Sequence, residues 1–112
     1  MSAITCHVLD TSLGKPVAGL MVRLGRLEAG AFEELGAGVT DRDGRVKGLL
    51  GARALAVGVY RLSFETGAHY EALGQASFYE RVEIQFRVTN ATEHYHVPLL
   101  LSPFGYSTYR GS

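Results

Sequence analysis

The sequence predicts an all-β domain, a sandwich of two antiparallel sheets with one short helix. The chain has 112 residues, which fits a single domain spanning residues 1–112. Its 14 glycines are spread along the chain and separate short apolar stretches. Several of these stretches alternate apolar and polar residues, which is the period of a half-buried strand. We count about seven or eight strands, with turns at the spacing typical of a sandwich.

The first half of the chain alternates in two places and turns in two others. Residues 4–9 and 20–24 are predicted strands, because apolar side chains recur there at every second position. Residues 10–16 form a cluster of turn formers, Asp, Thr, Ser, Gly and Pro. Residues 41–44 predict a second turn, closed by Gly44, which tolerates a positive φ.

The second half of the chain holds more predicted strands: residues 58–64, 81–89, 94–101 and 104–109. Residues 66–74, between glycines, predict one short helix, and residues 90–93 predict a turn. Pro98 lies inside a predicted strand and has no N–H to donate. We therefore expect its nitrogen to face away from a ladder partner.

Composition excludes several classes of protein. Lys plus Arg and Asp plus Glu both number 11, and a net charge of zero weighs against a nucleic-acid binder. The one cysteine, Cys6, cannot form an intrachain disulfide or a Cys-rich zinc site, and alternation places it on the core face as an unreactive thiol. No apolar run approaches the ~20 residues that span a bilayer. Residues 1–5 lack the pattern of a secretory signal, so we expect a cytoplasmic protein without a membrane partner.

Two predicted strands turn a histidine away from the core. Alternation assigns Val97 to the core side of residues 94–101, which turns His96 outward. By the same rule His7 faces outward in the first strand, beside Leu9. A face that mixes histidine with leucine suits a subunit interface or a cleft better than bulk water. The alternative is that both are ordinary surface histidines.

Metal sites are weaker interpretations of the same residues. His7, His94 and His96 could form a three-histidine site. No carboxylate lies at a spacing useful for orienting them, so a metal-free site is preferred. Residues 41–44 resemble the start of a calcium loop, but Ala52 stands where that loop needs a bidentate Glu.

Four separated motifs resemble those of the transthyretin-related proteins, in the same order and over essentially the whole chain. They are HVLDT with GKP (residues 7–11 and 14–16), TDRDGR (40–45), HYHVPLL with SPFGYST (94–100 and 102–108) and the final YRGS (109–112). The final tetrapeptide resembles that of the enzymatic branch, the 5-hydroxyisourate hydrolases, as against transthyretin. The sequence is therefore identified as a member of this family.

The resemblance implies a transthyretin-like sandwich of about eight strands with one short helix. It implies a homotetramer with a channel between subunits. It also implies hydrolysis of the lactam ring of 5-hydroxyisourate to 2-oxo-4-hydroxy-4-carboxy-5-ureidoimidazoline in urate degradation, without a metal or organic cofactor. The alternative within the family is a transthyretin-like carrier of small ligands that performs no chemistry.

By resemblance, the catalytic residues are His7, Arg45, His96 and Ser112, and the substrate-binding residues are His7, Arg45, Tyr109 and Arg110. A neutral histidine, with an ordinary pKa of about 6.5, can take a proton from water, and two neighbouring histidines disfavour double protonation. Which of the two begins as the base stays open.

Arg45 and the last four residues are expected to hold the substrate. A guanidinium fork matches two acceptors of a flat, carbonyl-rich anion, although Arg45 could instead form a surface ion pair with Asp41 or Asp43. An ordered tail would place the hydroxyl and α-carboxylate of Ser112 at a defined position. Tyr109 would then contact the substrate ring while Ser112 aligns substrate, water or a histidine.

Overall fold

Two β-sheets share one apolar core in the computed structural model, which describes residues 3–112. The elements in chain order are β1 (Ile4–Asp10), β2 (Lys15–Pro16), β3 (Met21–Glu28), β4 (Ala31–Val39), β5 (Arg45–Val46), β6 (Gly58–Phe64), α1 (Thr66–Ala72), β7 (Val82–Val88), β8 (Tyr95–Ser102) and β9 (Gly105–Thr108). The predicted fold class is confirmed. Met1 and Ser2, on which the expectation about a secretory signal partly rests, lie outside the described residues.

The two sheets differ in strand direction. One sheet has the order β2-β1-β8-β9, with β5 also paired to β1, and the other has the order β4-β3-β6-β7. The second sheet is antiparallel throughout, as predicted. In the first sheet, however, β1 and β8 pair in parallel from Ile4 opposite Tyr95 to Asp10 opposite Leu101. Alternation reports which face a side chain takes and carries no information about strand direction.

Strand β4 was not predicted from the sequence. Glu33, Glu34, Gly36 and Gly38 break the apolar alternation that identifies a half-buried strand. The strand lies at the edge of its sheet, and most of its side chains are exposed. Gly36 is required there because a Cβ at that position would collide with the carbonyl oxygen of Leu49.

The core lies between the inward faces of the two sheets. Every second residue of β1, β6 and β8 is buried, as the alternation predicts. The largest fully buried side chains include Tyr60, Phe64, Ile4, Leu62 and Leu99. Each such burial stabilises the fold by roughly 1.5–3 kcal/mol, so the register of these strands is strongly fixed. The residues between them must therefore face outward.

The single helix of the described residues is fastened to the end of β1. The Tyr70 hydroxyl of α1 donates to Oδ2 of the buried Asp10 at 2.9 Å, and the backbone N–H of Ser12 donates to Oδ1 at 2.8 Å. The helix predicted within residues 66–74 is confirmed, since α1 spans Thr66–Ala72. No helix within residues 3–112 is long enough and apolar enough to cross a membrane.

Pro98 interrupts one ladder without breaking its strand. The β8–β9 pairing ends at Leu99 opposite Thr108 and resumes where His96 pairs with Gly111. The missing N–H of Pro98 falls in this gap, and its carbonyl accepts a hydrogen bond of 2.7 Å from the Thr108 hydroxyl. The Pro98 nitrogen therefore has no ladder partner in β9, which agrees with the expectation from the sequence.

Candidate active site

Strand register brings three distant stretches of the chain together on the outward face of the first sheet. Thr5 of β1 lies opposite His96 of β8, and His7 of β1 lies opposite Arg45 of β5. Directly opposed residues share a face, so these four side chains extend from the same side of the sheet. His7 and His96 are half-buried there, as expected for a cleft rather than an open surface.

A cleft of about 320 Å³ opens beside these residues. Its lining comprises Thr5, Cys6, Arg45, Val46, Lys47, His94, His96 and Ser112. A larger hollow of about 530 Å³ lies between β4 and residues 48–53, but its lining is glycine, alanine and leucine apart from Arg53. Of these two hollows, the smaller cleft is the one that holds histidine side chains capable of acid–base chemistry near neutral pH.

The Thr5 hydroxyl joins two histidines at the cleft. Its Oγ1 lies 2.8 Å from Nδ1 of His96 and 2.9 Å from Nε2 of His94. The second ring nitrogen of His96, Nε2, is therefore the one left for water or substrate. His94, which the sequence analysis named only as a candidate metal ligand, has a specific hydrogen-bond partner.

The surroundings of His96 favour its neutral form. Burial lowers the pKa of His96 below the ordinary histidine value, and the positive charges of His7, His94 and Arg45 lower it further. An imidazole that resists protonation is available near neutral pH to accept a proton from water. The site thus provides a candidate general base.

Arg45 presents an unpaired cation to the cleft. The carboxylate of Asp41 accepts the backbone N–H groups of Asp43 and Arg45, at 2.9 and 3.1 Å, which closes the turn before β5. In the part of the chain that the structure describes, the Arg45 guanidinium forms no ion pair with Asp41 or Asp43. Lys47, on the same wall, likewise forms no ion pair in residues 3–112. The hydrogen bond from the Arg45 backbone lowers the pKa of Asp41, and the charges of Lys47 and Arg45 help to a smaller degree. The cleft therefore favours an anionic ligand.

The final residues are seated over His96. The Gly111 N–H donates to the His96 carbonyl at 2.9 Å, which brings Ser112 to the cleft. A Cβ on Gly111 would lie 2.6 Å from Cδ2 of His96 and 3.0 Å from Cγ of Pro98. Only glycine allows the chain to approach this closely.

Tyr109 and Arg110 lie on the other side of the contact between Gly111 and His96. They line a smaller cavity of about 120 Å³ that His96 also borders. Nη2 of Arg110 lies 3.1 Å from Oε1 of Glu93, and its guanidinium lies 4.4 Å from the centre of the Tyr95 ring. The structure thus brings Arg45, His96 and Ser112 to one cleft, with His7 on the same face. It gives Tyr109 and Arg110 a separate place, and their predicted role in substrate binding stays a prediction.

The metal-site alternative finds no support in the arrangement of donors. Across residues 3–112, no group of three or more His, Cys, Asp or Glu side chains is placed to hold one metal ion. The ring centroids of His94 and His96 are 6.3 Å apart, and both rings contact the Thr5 hydroxyl.

Sequence reasoning did not identify Thr5 and Lys47 as members of the site, and it named His94 only as a candidate metal ligand. Alternation turned Thr5 outward, yet only its pairing with His96 reveals its role. That pairing depends on the parallel alignment of β1 and β8, for which the sequence pattern carries no signal.

Comparison with known proteins places this site in context. Residues 4–111 match the model of the HIUase/Transthyretin family. The 5-hydroxyisourate hydrolase of Mus musculus is 49% identical over 99% of this chain and 96% of its own length. The structure of Klebsiella pneumoniae 5-hydroxyisourate hydrolase superposes with a TM-score of 0.87 at 40% identity, covering 99% of this chain and 100% of that one. Transthyretin from Sparus aurata superposes with a TM-score of 0.93 at 30% identity, covering 99% of this chain and 97% of that one.

Proposed function

Since this chain belongs to the HIUase/Transthyretin family, we propose that it hydrolyses 5-hydroxyisourate, the reaction for which its relatives are named. The observation that carries the proposal is one cleft holding a histidine of lowered pKa, His96, beside an arginine without a carboxylate partner, Arg45. A neutral histidine can accept a proton from water. A free guanidinium can bind a carbonyl-rich anion.

The residues of the cleft suggest how the lactam opens. Nε2 of His96 accepts a proton as the water oxygen bonds to the lactam carbonyl carbon. Arg45 neutralises the negative charge that develops on the carbonyl oxygen. The carbon–nitrogen bond then breaks, and the nitrogen takes a proton from an imidazolium, either that of His96 in the cleft or that of His7 on the same face of the sheet. The product is 2-oxo-4-hydroxy-4-carboxy-5-ureidoimidazoline, and no step requires a metal or organic cofactor.

The remaining predicted site residues fit this scheme as positioning groups. Ser112 reaches the cleft because Gly111 is seated on His96, so its hydroxyl aligns the attacking water. Arg110 fastens the final residues to the 90–95 turn through Glu93 and Tyr95. Tyr109, 59% exposed, is then available to cover the substrate ring.

We further propose that the chain acts as a homotetramer with the cleft at a subunit interface. The outward face that holds His7 and His96 also carries the half-buried Leu9 and Leu100. Leu13, in the turn that follows β1, is 66% exposed. Apolar side chains beside a polar cleft suit a surface covered by another copy of the chain.

Ligand carriage without chemistry is the alternative that backbone similarity alone would allow, since transthyretin superposes at least as well as a hydrolase. The residues decide against it. Sequence identity is 49% and 40% with the two hydrolases, against 30% with transthyretin. A carrier has no need of a neutral histidine beside an unpaired arginine.

An optical assay tests the proposal. Urate and urate oxidase generate the unstable substrate, and the protein should accelerate the decay of its absorbance. His96→Ala should lose roughly 10²–10⁴-fold in rate while its circular dichroism is unchanged. His69→Ala, a half-buried histidine on α1 outside the cleft, is the matched control. A wild-type protein that leaves the decay rate unchanged would refute the hydrolase function.

A further inference from the structure

The Thr5 hydroxyl is placed between two imidazoles that no other hydroxyl in the described residues joins. Its oxygen contacts Nδ1 of His96 at 2.8 Å and Nε2 of His94 at 2.9 Å. The position is set by the backbone, because Thr5 lies opposite His96 in the parallel ladder between β1 and β8. A strand register defined by buried residues thus fixes a polar contact on the other face.

Counting protons limits what this contact can be. A hydroxyl has one proton to donate and two lone pairs to accept. It cannot donate to both ring nitrogens, so at least one histidine must donate its own N–H to Oγ1. The network therefore couples the tautomers of His94 and His96.

The charges around the cleft indicate which histidine donates. Arg45 and Lys47 line the same cleft as His96, whose Nε2 has no hydrogen-bond partner among the described residues. Positive charge on that side favours a lone pair on Nε2 and the ring proton on Nδ1, against Thr5. His94 is exposed, so water can accept the proton that its Nδ1 carries in turn.

We propose that Thr5 is a positioning residue that holds His96 in the tautomer with an unprotonated Nε2, by accepting the Nδ1–H of His96 and donating to Nε2 of His94. The catalytic consequence rests on the proposed function, in which Nε2 of His96 is the base. The hydroxyl touches neither water nor substrate in this scheme. It acts by keeping the reactive nitrogen free of its proton and the ring at a fixed angle.

The test compares three variants with the wild type. Thr5→Val keeps the shape and removes the hydroxyl, and Thr5→Ser keeps the hydroxyl. Thr11→Val removes an exposed hydroxyl that bonds only to the Leu101 carbonyl, at 3.3 Å, and serves as the matched control. Steady-state kinetics give kcat and KM, and ¹⁵N NMR of histidine-labelled protein reports which ring nitrogen of His96 is protonated.

Thr5→Val should lower kcat about tenfold with little change in KM, since the neutral hydrogen bond that orients His96 is lost together with the one to His94. The ¹⁵N shifts of His96 should move as the proton passes from Nδ1 to Nε2, while Thr5→Ser and Thr11→Val retain the wild-type values. His94→Phe should move the same signals, because the hydroxyl proton is then free to turn toward Nδ1 of His96.

The two readouts separate this inference from the proposed function. If the wild type fails to hydrolyse 5-hydroxyisourate, the function is wrong, yet the ¹⁵N shifts still show whether Thr5 sets the tautomer. If Thr5→Val leaves the His96 shifts and kcat at wild-type values, the positioning role is overturned. A Thr5→Ser protein as impaired as Thr5→Val would overturn it equally.

Discussion

The two faces of strands β1 and β8 follow opposite rules although they share one backbone. On the inward face Ile4, Cys6, Val8 and Leu99 are fully buried. On the outward face, one residue along, the Thr5 hydroxyl and the His96 imidazole are held by a specific hydrogen bond. The inward face depends on volume and the outward face on particular atoms. The comparison teaches that stability and chemistry can be varied separately in the same two strands.

The largest expected effect is on the inward face. Leu99→Ala should lower the free energy of unfolding by about 2–5 kcal/mol, because the methyl groups leave a cavity beneath the site. Urea denaturation at equal protomer concentrations measures this loss. The folded fraction should retain its activity per molecule, since Leu99 contributes no atom to the cleft. A variant of wild-type stability but reduced activity would contradict the separation of the two faces.

The second-largest effect is expected on the outward face, at Gly111. Gly111→Ala should reduce activity roughly 10–100-fold, about 1.4–2.7 kcal/mol, because the new Cβ displaces the chain from His96 and Pro98. The free energy of unfolding should change little, as the seat lies outside the core.

Gly105→Ala is the matched control for this glycine. It lies in β9 of the same sheet, but a Cβ there meets its nearest neighbour, Oγ of Ser102, at an ordinary 3.7 Å. Its activity should stay near that of the wild type. Equal losses in Gly105→Ala and Gly111→Ala would show that the seat of the final residues does not matter for catalysis.

Alternation was enough to predict most of the fold. Residues 58–64 matched β6 at both ends, and the outward direction of His7 and His96 followed from period two. Strand β4 was not predicted, because its glycines and glutamates at the sheet edge do not alternate with apolar residues. Strands β2 and β5 have two residues each, too few for any pattern.

The site was predicted less completely, because its contacts depend on which strands are neighbours. Motif resemblance placed His7, Arg45, His96 and Ser112 in one set. The structure brings Arg45, His96 and Ser112 to one cleft, with His7 on the same face of the sheet. The role of Thr5 required the parallel β1–β8 pairing. Strand order is set by the whole topology, and no local pattern reports it.

The pH dependence of the reaction tests the electrostatic environment of His96 on the outward face. Burial, and then the charges of His7, His94 and Arg45, lowers the pKa of His96. The neutral base therefore persists as pH falls below the ordinary histidine value of about 6.5. The acidic limb of kcat/KM should have its midpoint below that value.

His69→Gln is the control for the pH profile. The pKa of His69 is also lowered by burial, against the opposing charge of Asp10, but this residue lies on α1. Its replacement should leave the acidic limb in place. A limb centred at or above ~6.5 in the wild type would mean that His96 is not the base.

The smallest expected effect concerns the residue between Thr5 and His7. Burial raises the pKa of the Cys6 thiol to about 12, against a weaker opposing hydrogen bond from the Val46 backbone. At pH 8 the thiol is protonated and enclosed, so a maleimide or disulfide reagent should not modify the native protein. In denaturant the same reagent should modify Cys6 fully.

This null result tests strand register directly. A slip of β1 by one residue would turn the buried Cys6 side chain to the outward face and carry the side chains of His7 and Thr5 into the core. Activity would be lost and the thiol would become reactive at the same time. Rapid modification of the native enzyme with activity retained would contradict the division between the two faces, because both outcomes depend on the same alternation.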